Sequence, residues 1–524
     1  MALTPALPFS DGMVLQRLKP LVVWGGAEAG QEVTVSVQGR EGTSVADEFG
    51  QWRVTLEPLA ASDAEELVVR TADEEIVVHD AAVGEVWIAA GQSNMEFWMR
   101  FEKHLEEVRP TCANPRIRTI EVPKCSYPDQ MDDFDFSHVG IWRKATPNDL
   151  ERFSAIGYYF AHEIEADLDV VVGIVACNYG GTKSLAWMTP GHARVVEPEQ
   201  TAAFEASLCG LPYDQFVQYA KYNPMNDKGY VTWSAWEEYF LPTTHTDEEV
   251  QAFMEVEMAS VAAAVAGLSI GGDSGHNDPH PGLMAQAKHA PGALFTHMVS
   301  RIAGFTSRGV LWYQGESDDE DMGAQARYRK SLETIIADWR QAFDDPTLPF
   351  LVVQLPGFGS WFGIEAHDWQ TIRLCQQEVA DTDDHVWLCS IHDTGDPLDI
   401  HPKDKTAAGH RLALLARRHL YGEDVLADAP RLSSTTRDEL WVTLAFDNAG
   451  EGLSVQGDEI DALVLTDEVG PVSYTFKVEG DRLILALERE VEGHLDIEYC
   501  QSGFYRANLF NSAGIPAIPF AVTC

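Results

Sequence analysis

Positive charge is scarce in this chain. Its 524 residues include 37 Lys and Arg against 82 Asp and Glu, which gives a formal net charge of −45 at pH 7. A field of this sign repels nucleic-acid phosphates and anionic lipid headgroups, and the sequence has no run of Lys or Arg that would overcome it. We therefore expect neither a nucleic acid nor a membrane surface as a partner.

The chain also lacks paired cysteines and long apolar segments. None of its eight cysteines forms a C-x-x-C pair, and several lie in apolar, strand-like runs, as reduced structural thiols do. The first residues, MALTPALPFSDGM, have neither the basic start nor the apolar core of a signal peptide, although a chain trimmed of its leader would look the same. No later stretch is long enough to span a bilayer. These features predict a soluble, cytoplasmic protein.

The hydrophobic pattern changes along the chain and predicts three domains. Residues 1–82 contain short alternating segments such as Glu32 to Val37, which predict an N-terminal β-sandwich. In residues 83–421, continuous apolar runs alternate with amphipathic stretches such as Leu332 to Phe343, which indicates a parallel sheet covered by helices. Alternation returns in residues 422–524 and predicts a second β-sandwich. The expected fold class is α/β, with the parallel-sheet domain flanked by two sandwiches.

Polar clusters follow several of the buried runs in the middle region. The predicted strands are Val86 to Ala90, Gly173 to Ala176, Val310 to Tyr313, Phe350 to Val353 and Val386 to Ile391. An open parallel sheet forms its binding crevice at the carboxyl ends of its strands. We therefore expect the polar groups that follow these strands to meet at one edge of the sheet.

Ser93 is the first candidate for chemistry. It stands in VWIAAGQSNM, Val86 to Met95, where an apolar run stops at a glycine just before a predicted helix. A serine hydroxyl becomes a nucleophile when a base takes its proton and N–H groups receive the oxyanion, and a strand-to-helix turn offers such groups. A serine in this place is most often a helix cap, so the assignment depends on partners elsewhere in the chain.

Three later blocks contain suitable partners. Asp399 and His401 stand together in DIHP, and the order serine, acid, histidine is one of the known orders of a hydrolytic triad. Gln314 in GVLWYQGESD has an amide that can donate to an oxyanion, and GIVACNYGGTK ends in a Gly-Gly pair that includes Gly181.

Taken together, these blocks resemble the sialate O-acetylesterase family of the SGNH serine esterases. GQSNM, NYGGTK, WYQGES and DIHP carry the resemblance, with FSDGMVLQ near the front and ANLFNSAGIPAIPF near the back. It spans most of the chain apart from a poorly matching stretch at about 197–278. The resemblance implies an SGNH-hydrolase, flavodoxin-like three-layer domain and an enzyme that needs no cofactor.

Residue by residue, the resemblance implies Ser93 as nucleophile and His401 as general base. The oxyanion donors would be the N–H groups of Ser93 and Gly181 and the side chain of Gln314. Many SGNH enzymes place the acid three residues before the histidine, but that position here is Leu398. We interpret Asp399 as the triad acid, with Asp396 as the alternative and a Ser-His dyad aided by a backbone carbonyl as another.

Gln92 and Asn94, which flank Ser93, and Glu316 of the WYQGES block are predicted to bind the substrate, with Glu316 interpreted as a hydrogen-bonding group that supports the pocket. Glu316 invites a glycosidase interpretation, but glycoside hydrolysis needs a second, facing carboxylate, and the sequence indicates none. Because the net charge repels an anionic sugar, Lys183 and Arg100 are candidate local cations, although solvated surface roles fit both residues better.

An insertion at about 197–281 is rich in aromatic residues, which could form a substrate lid or, more plainly, a small core of their own. It ends near His276, Asp278 and His280, whose H-x-D-x-H spacing can bind zinc but is more typical of a solvated loop, so no metal is predicted.

The predicted reaction is removal of an O-acetyl group from a small or oligomeric sugar, with sialic acid first and xylan or another glycan as alternatives. Two other classes stay open: an inactive glycan-binding protein, and a serine hydrolase of another kind such as a thioesterase or lipase.

Overall fold

The structure is a computed structural model that describes residues 2–128, 130, 139–220, 242–246, 248–249, 251–252, 285–320, 323, 325–361, 364–491 and 493–524. Over these residues the chain forms a mixed α/β fold with several sheets, which confirms the predicted fold class at that level. None of the helices in these ranges is long and apolar enough to cross a membrane.

The first part of the chain consists of strands that pair mainly antiparallel. β1, β3 and β6 form one sheet, while β4 pairs with β5 and β7, and β7 pairs with β8. Val33, Val35 and Val37 of β4 are buried on one face, as the alternating pattern predicts. The strands are β1 Thr4–Pro5, β2 Val14–Gln16, β3 Leu21–Gly26, β4 Glu32–Val37, β5 Arg40–Val45, β6 Gln51–Leu56, β7 Ser62–Arg70 and β8 Glu75–Gly91.

Strand β8 joins this first part to the central sheet without a break. Its beginning pairs antiparallel with β7, and its end, from Glu85, pairs parallel with two central strands. The predicted boundary between residues 82 and 83 therefore falls inside one continuous strand of 17 residues. One continuous apolar core extends across both regions, from Leu3 through Trp87 to Leu415.

The central sheet follows the order β10-β9-β11-β8-β12-β13-β16, and its neighbours pair parallel except for β9 and β10. Every residue of β11, β12 and β13 is buried, which is why these strands are continuous apolar runs in the sequence. The strands of this part are β9 Asn114–Glu121, β10 Trp142–Ala145, β11 Val172–Asn178, β12 Gly309–Tyr313, β13 Phe350–Val353, β14 Ser360–Trp361, β15 Ile364–Glu365 and β16 Val386–Cys389.

Helices connect and cover these strands. In the longest one, the buried stripe contains Leu332, Ile335 and Trp339, as predicted, but the helix begins earlier than the predicted start at Leu332. The α-helices are α1 Ser93–Glu96, α2 Leu105–Val108, α3 Ala155–Leu168, α4 Pro190–Val196, α5 Pro198–Ser207, α6 Tyr213–Ala220, α7 Ser300–Ile302, α8 Gln325–Phe343, α9 Trp369–Thr382 and α10 Thr406–His419.

The order of the central strands reverses at β8. From β8 the chain builds β9 and β11 on one side and then β12, β13 and β16 on the other. In open α/β sheets the binding crevice forms at such a switch point, beyond the carboxyl ends of the strands. The end of β8 is therefore the place where the fold itself favours a site.

The last part of the chain forms two four-stranded antiparallel sheets, β17-β18-β23-β22 and β21-β20-β24-β26, with a separate apolar core that includes Val442, Leu485 and Ile497. The Arg373 guanidinium of α9 donates to the Ser502 carbonyl (2.6 Å) and so links the two parts. The strands are β17 Arg431–Asp438, β18 Trp441–Asp447, β19 Ser454–Val455, β20 Leu463–Asp467, β21 Gly470–Pro471, β22 Tyr474–Glu479, β23 Arg482–Leu487, β24 Leu495–Tyr499, β25 Leu509–Phe510 and β26 Phe520–Thr523.

Candidate active site

Ser93 is the first residue of α1, and Gln92 alone separates it from the end of β8, as the sequence predicts. The turn requires Gly91, whose φ of +132° is unfavourable for other residues and whose added Cβ would stand 2.0 Å from the Tyr313 carbonyl oxygen. The Gln92 N–H donates to that same carbonyl (2.9 Å), which ties the turn to β12. These main-chain contacts with β12 hold the turn that places Ser93 at the end of the strand.

His401 lies beside Ser93 although it is 308 residues later in the chain, and its Nε2 atom is 2.8 Å from the serine Oγ. The imidazole is buried between aromatic rings: the Phe97 ring is stacked at 6.3 Å and the Trp361 ring lies edge-on at 5.0 Å. Burial lowers the pKa of His401 well below its ordinary value, and the nearby Lys403 lowers it further. A neutral imidazole in this position can accept the serine proton.

Asp399 is close to His401, but its carboxylate bonds to other groups. The Oδ1 atom lies 3.8 Å from His401 Nδ1 and accepts the His401 main-chain N–H at 2.8 Å, while Oδ2 pairs with Lys403 Nζ at 2.6 Å. Among the described residues, no group hydrogen-bonds to the buried Nδ1 atom. The alternative acid, Asp396, accepts the Leu398 N–H at 2.9 Å. The structure therefore places Asp399 nearest the imidazole without a direct side-chain hydrogen bond.

A buried polar layer lies beneath the serine and contains the residues predicted to bind substrate. The Asn94 amide donates to Glu316 Oε1 at 2.7 Å and to the Ile400 carbonyl at 2.9 Å, and its oxygen accepts from Lys405 Nζ at 2.6 Å. Gln92 donates to Ser317 Oγ at 3.3 Å. Because Gln92, Asn94 and Glu316 are at most 2% exposed, the structure shows them supporting the serine and histidine loops, and direct substrate contact stays a prediction.

Two ionisable groups of this layer have strongly shifted pKa values. Burial raises the pKa of Glu316 to about 7, although the Asn94 amide opposes the shift. Burial lowers the pKa of Lys405 to about 7, and the neighbouring Lys403 charge acts in the same direction. Perturbed groups of this kind cluster at functional sites, since a structure tolerates their burial where it needs their chemistry or their precise hydrogen bonds.

Gln314, the predicted oxyanion donor, is fully buried in the same layer. Its Nε2 atom donates to Asp318 Oδ2 at 2.6 Å, to the Thr182 carbonyl at 3.1 Å and to Gln92 Oε1 at 3.3 Å. An amide has two N–H groups, so these acceptors already occupy both. The structure shows Gln314 anchoring the loop after β11, and its donation to an oxyanion stays a prediction.

The Gly-Gly pair of that loop lies against Ser93. A Cβ added to Gly180 would stand 3.3 Å from the Ser93 Cβ atom, so glycine permits this close approach. Gly181 adopts a φ of +64° and is exposed. The Gly180 N–H donates a hydrogen bond to Glu96 Oε2 at 2.6 Å, and the Glu96 carboxylate also contacts the Lys124 ammonium. The predicted donor, the Gly181 N–H, thus lies on the loop next to Ser93.

Sequence reasoning missed the lysines around this site. Lys403 and Lys405 lie shortly after His401 in the sequence, and Lys124 and Lys288 reach the Ser93 region from distant segments. The two that follow the DIHP block could have been suspected from their spacing, whereas the other two show no signal in the sequence. Of the predicted cations, Arg100 lies 3.7 Å from the Glu151 carboxylate, and Lys183 precedes the 3-10 turn Ser184–Ala186.

The described part of the insertion packs as a small core. Phe204 and Phe216 are buried with Tyr127 in a separate apolar cluster, which agrees with the plainer of the two interpretations for those residues. The aromatic residues at 222–240 and the H-x-D-x-H residues His276, Asp278 and His280 lie outside the described residues.

One described cluster, Glu102, His104 and Asp404, has the residue types of a metal site. Other side chains already bond to this cluster: the Tyr159 hydroxyl donates to Glu102 at 2.9 Å, and the Lys103 ammonium pairs with Asp404 at 2.9 Å.

Comparisons with known proteins agree with the motifs. A family model described as "Carbohydrate esterase, sialic acid-specific acetylesterase" matches residues 244–416, which include Gln314 and His401. The sialate O-acetylesterase of Mus musculus is 26% identical over 451 residues, covering 78% of this chain and 72% of the relative. The Homo sapiens protein of the same name is 24% identical over 453 residues, covering 79% and 70%.

A solved structure supports the same relationship across the whole chain. The carbohydrate acetylesterase of Xanthomonas citri is 28% identical, superposes with a TM-score of 0.73, and covers 99% of this chain and 99% of its own. These findings confirm the resemblance that the sequence blocks indicate: the chain is a carboxylic ester hydrolase related to the sialate O-acetylesterases.

Proposed function

We propose that this protein is a serine esterase that removes O-acetyl groups from acetylated carbohydrates, with acetylated sialic acid as the first candidate substrate. The contact between Ser93 Oγ and His401 Nε2, at 2.8 Å, carries the proposal, since it joins a nucleophile to a buried neutral base. The reaction needs no cofactor, because serine, base and main-chain donors suffice for acyl transfer.

The reaction begins when His401 takes the Ser93 proton and the serine oxygen attacks the acetyl carbonyl carbon. The Ser93 and Gly181 N–H groups receive the oxyanion of the tetrahedral intermediate. The sugar alcohol then leaves with the proton that His401 returns, and an acetyl-serine forms. Water attacks this ester with His401 again as the base, which releases acetate and restores the serine.

In this mechanism Asp399 acts as the residue that orients His401. Its Oδ1 atom accepts the His401 main-chain N–H, which fixes the loop, and it lies within 3.8 Å of the imidazole Nδ1 atom. A small closing movement would convert that separation into a hydrogen bond, as catalytic contacts often tighten when substrate is bound. Gln314 would reach the oxyanion only by exchanging one of its present acceptors.

We also propose the three-part organisation, with a flavodoxin-like catalytic domain at 83–421 between β-sandwiches at 1–82 and 422–524. The separate core of the last part supports the second boundary. The first boundary divides a strand, so we expect residues 1–82 and the catalytic part to fold as one unit.

The decisive experiment compares wild type and Ser93→Ala on a panel of acetylated sugars, with released acetate and the deacetylated sugars measured by mass spectrometry. We expect wild type to release acetate and Ser93→Ala to lose at least about 10³-fold in rate with an unchanged circular dichroism spectrum. Sugar binding without hydrolysis by wild type would favour a glycan-binding protein instead. Faster turnover of long acyl esters than of acetates would favour a lipase or thioesterase.

A further inference from the structure

Within residues 179–181 of the loop after β11, one main-chain polar group has no hydrogen-bond partner among the described residues. From residue 179 to residue 181, the Tyr179 N–H donates to the Gly91 carbonyl (3.0 Å), the Gly180 N–H to Glu96 (2.6 Å), and the Tyr179 carbonyl accepts from Thr182 Oγ1 (2.7 Å). Side chains bond to the carbonyls of both glycines. Among the described residues, the Gly181 N–H alone in this stretch has no hydrogen-bond partner.

The two glycine carbonyls are held by consecutive residues of a 3-10 turn, Ala287–His289. Lys288 Nζ donates to the Gly180 carbonyl at 3.0 Å, and His289 Nε2 lies 2.9 Å from the Gly181 carbonyl oxygen. The same ammonium lies over the Tyr179 ring at 5.0 Å from its centroid. This turn comes from a part of the chain with no sequence block of the family resemblance.

The geometry of the peptide unit makes the Lys288 contact significant. The Gly180 carbonyl and the Gly181 N–H belong to one planar trans peptide, in which the two groups point in opposite directions. An ammonium that donates a hydrogen bond to the carbonyl on one side therefore fixes the direction in which the N–H on the other side points. Its charge also polarises the peptide and strengthens the N–H as a donor.

We propose that Lys288 is a positioning residue for the oxyanion hole, acting through the Gly180–Gly181 peptide unit and assisted by His289. Glycines tolerate many main-chain conformations, so a donor built on a Gly-Gly pair needs an external constraint. The Lys288 ammonium supplies it from the side of the loop where the Gly180 carbonyl lies. This inference rests on the proposed esterase function and assigns a role to a residue that does not touch the reacting atoms.

A different role for Lys288 would be to bind a carboxylate of an anionic sugar. The ammonium's contacts with the Gly180 carbonyl and the Tyr179 ring favour the positioning role, because these contacts already define its place in the structure. The two roles differ in a measurable way. A positioning residue affects every acetyl ester, whereas a carboxylate-binding residue affects anionic substrates alone.

The test measures kcat and KM for the neutral ester p-nitrophenyl acetate in Lys288→Met, Lys288→Gln and Lys288→Arg, and the inhibition constant of methaneboronic acid. This acid adds to the serine oxygen and places an oxygen where the oxyanion forms. For Lys288→Met we expect kcat to fall about tenfold or more with KM changed less than about twofold, and the inhibition constant to rise by a similar factor. Arginine should restore most of the rate and glutamine part of it.

The control is Lys330→Met, which removes an exposed lysine of α8 that pairs with Glu333 at 3.4 Å, and it should match wild type. If Lys288→Met fails to fold, the glutamine and arginine variants provide the same comparison. Unchanged kcat and boronate inhibition in the folded variants would overturn the inference, as would a loss confined to anionic sugar esters. If wild type lacks esterase activity, or Ser93→Ala retains it, the proposed function itself fails.

Discussion

Lys403 Nζ forms an ion pair of 2.6 Å with the Oδ2 atom of Asp399. The other oxygen of the same carboxylate, Oδ1, lies 3.8 Å from the Nδ1 atom of His401. The lysine therefore competes with His401 for the acid. Burial and the Lys403 charge together depress the pKa of His401, so this imidazole stays neutral to a lower pH than an ordinary histidine does. Lys403 therefore affects His401 in two ways, through its own charge and through its ion pair with Asp399, the residue proposed to orient the imidazole.

Replacement of Lys403 should shift the acid limb of the pH profile. Since the Lys403 charge lowers the pKa of His401, Lys403→Met raises that pKa. In the proposed mechanism, activity requires neutral His401 and is lost as the pH falls through its pKa, so the loss should begin at a higher pH than in wild type. The measurement is kcat/KM for p-nitrophenyl acetate against pH. Lys103→Met removes a half-exposed lysine paired with Asp404 and should leave the profile unchanged.

The identity of the acid can be tested with two matched substitutions. Asp399→Asn should lower kcat by about 10–10³-fold, because it removes the carboxylate that lies 3.8 Å from the imidazole Nδ1 atom, and less than His401→Ala does. Asp396→Asn should change kcat little, since Asp396 bonds to the Leu398 N–H. Equal losses in both variants, or a larger loss in Asp396→Asn, would contradict the assignment of Asp399.

Glu316 should make stability depend on pH. Its pKa is raised from an ordinary 4.5 to about 7 in the folded protein, so between these values the folded state binds more protons than the unfolded state. Stability therefore falls as the pH rises from about 4.5 to about 7, by about 1–3 kcal/mol from this group. Glu316→Gln should flatten this part of the curve of unfolding free energy against pH. A parallel curve in the variant would refute the prediction.

Gly91 should tolerate no side chain. Gly91→Ala places a Cβ 2.0 Å from the Tyr313 carbonyl oxygen at a φ of +132°, so we expect a loss of about 2–4 kcal/mol in the free energy of unfolding and a displaced Ser93. The matched control is Gly191→Ala in α4, where an added Cβ meets no atom within 4 Å. That change should be neutral or stabilising by up to about 1 kcal/mol, because alanine favours a helix. Chemical denaturation of both variants makes the comparison.

The sequence by itself determined the local elements and the chemistry available. The buried strands β11, β12 and β13 are visible as apolar runs because burial on both faces leaves no polar position. Ser93 and His401 could be identified because each stands in a recognisable sequence block, GQSNM or DIHP. These blocks also occur along the chain in the order serine, acid, histidine that is known for hydrolytic triads.

The tertiary structure decided how these groups meet. The 2.8 Å contact between Ser93 and His401 spans 308 residues and depends on strand order and loop paths, which no local pattern encodes. For the same reason the sequence did not indicate that Lys403 pairs with Asp399, that the Gln314 amide donates to Asp318, or that Lys288 donates to the Gly180 carbonyl. Hydrogen-bond partners depend on ångström-scale distances between distant segments, and these exist only once the sheet and its loops have assembled.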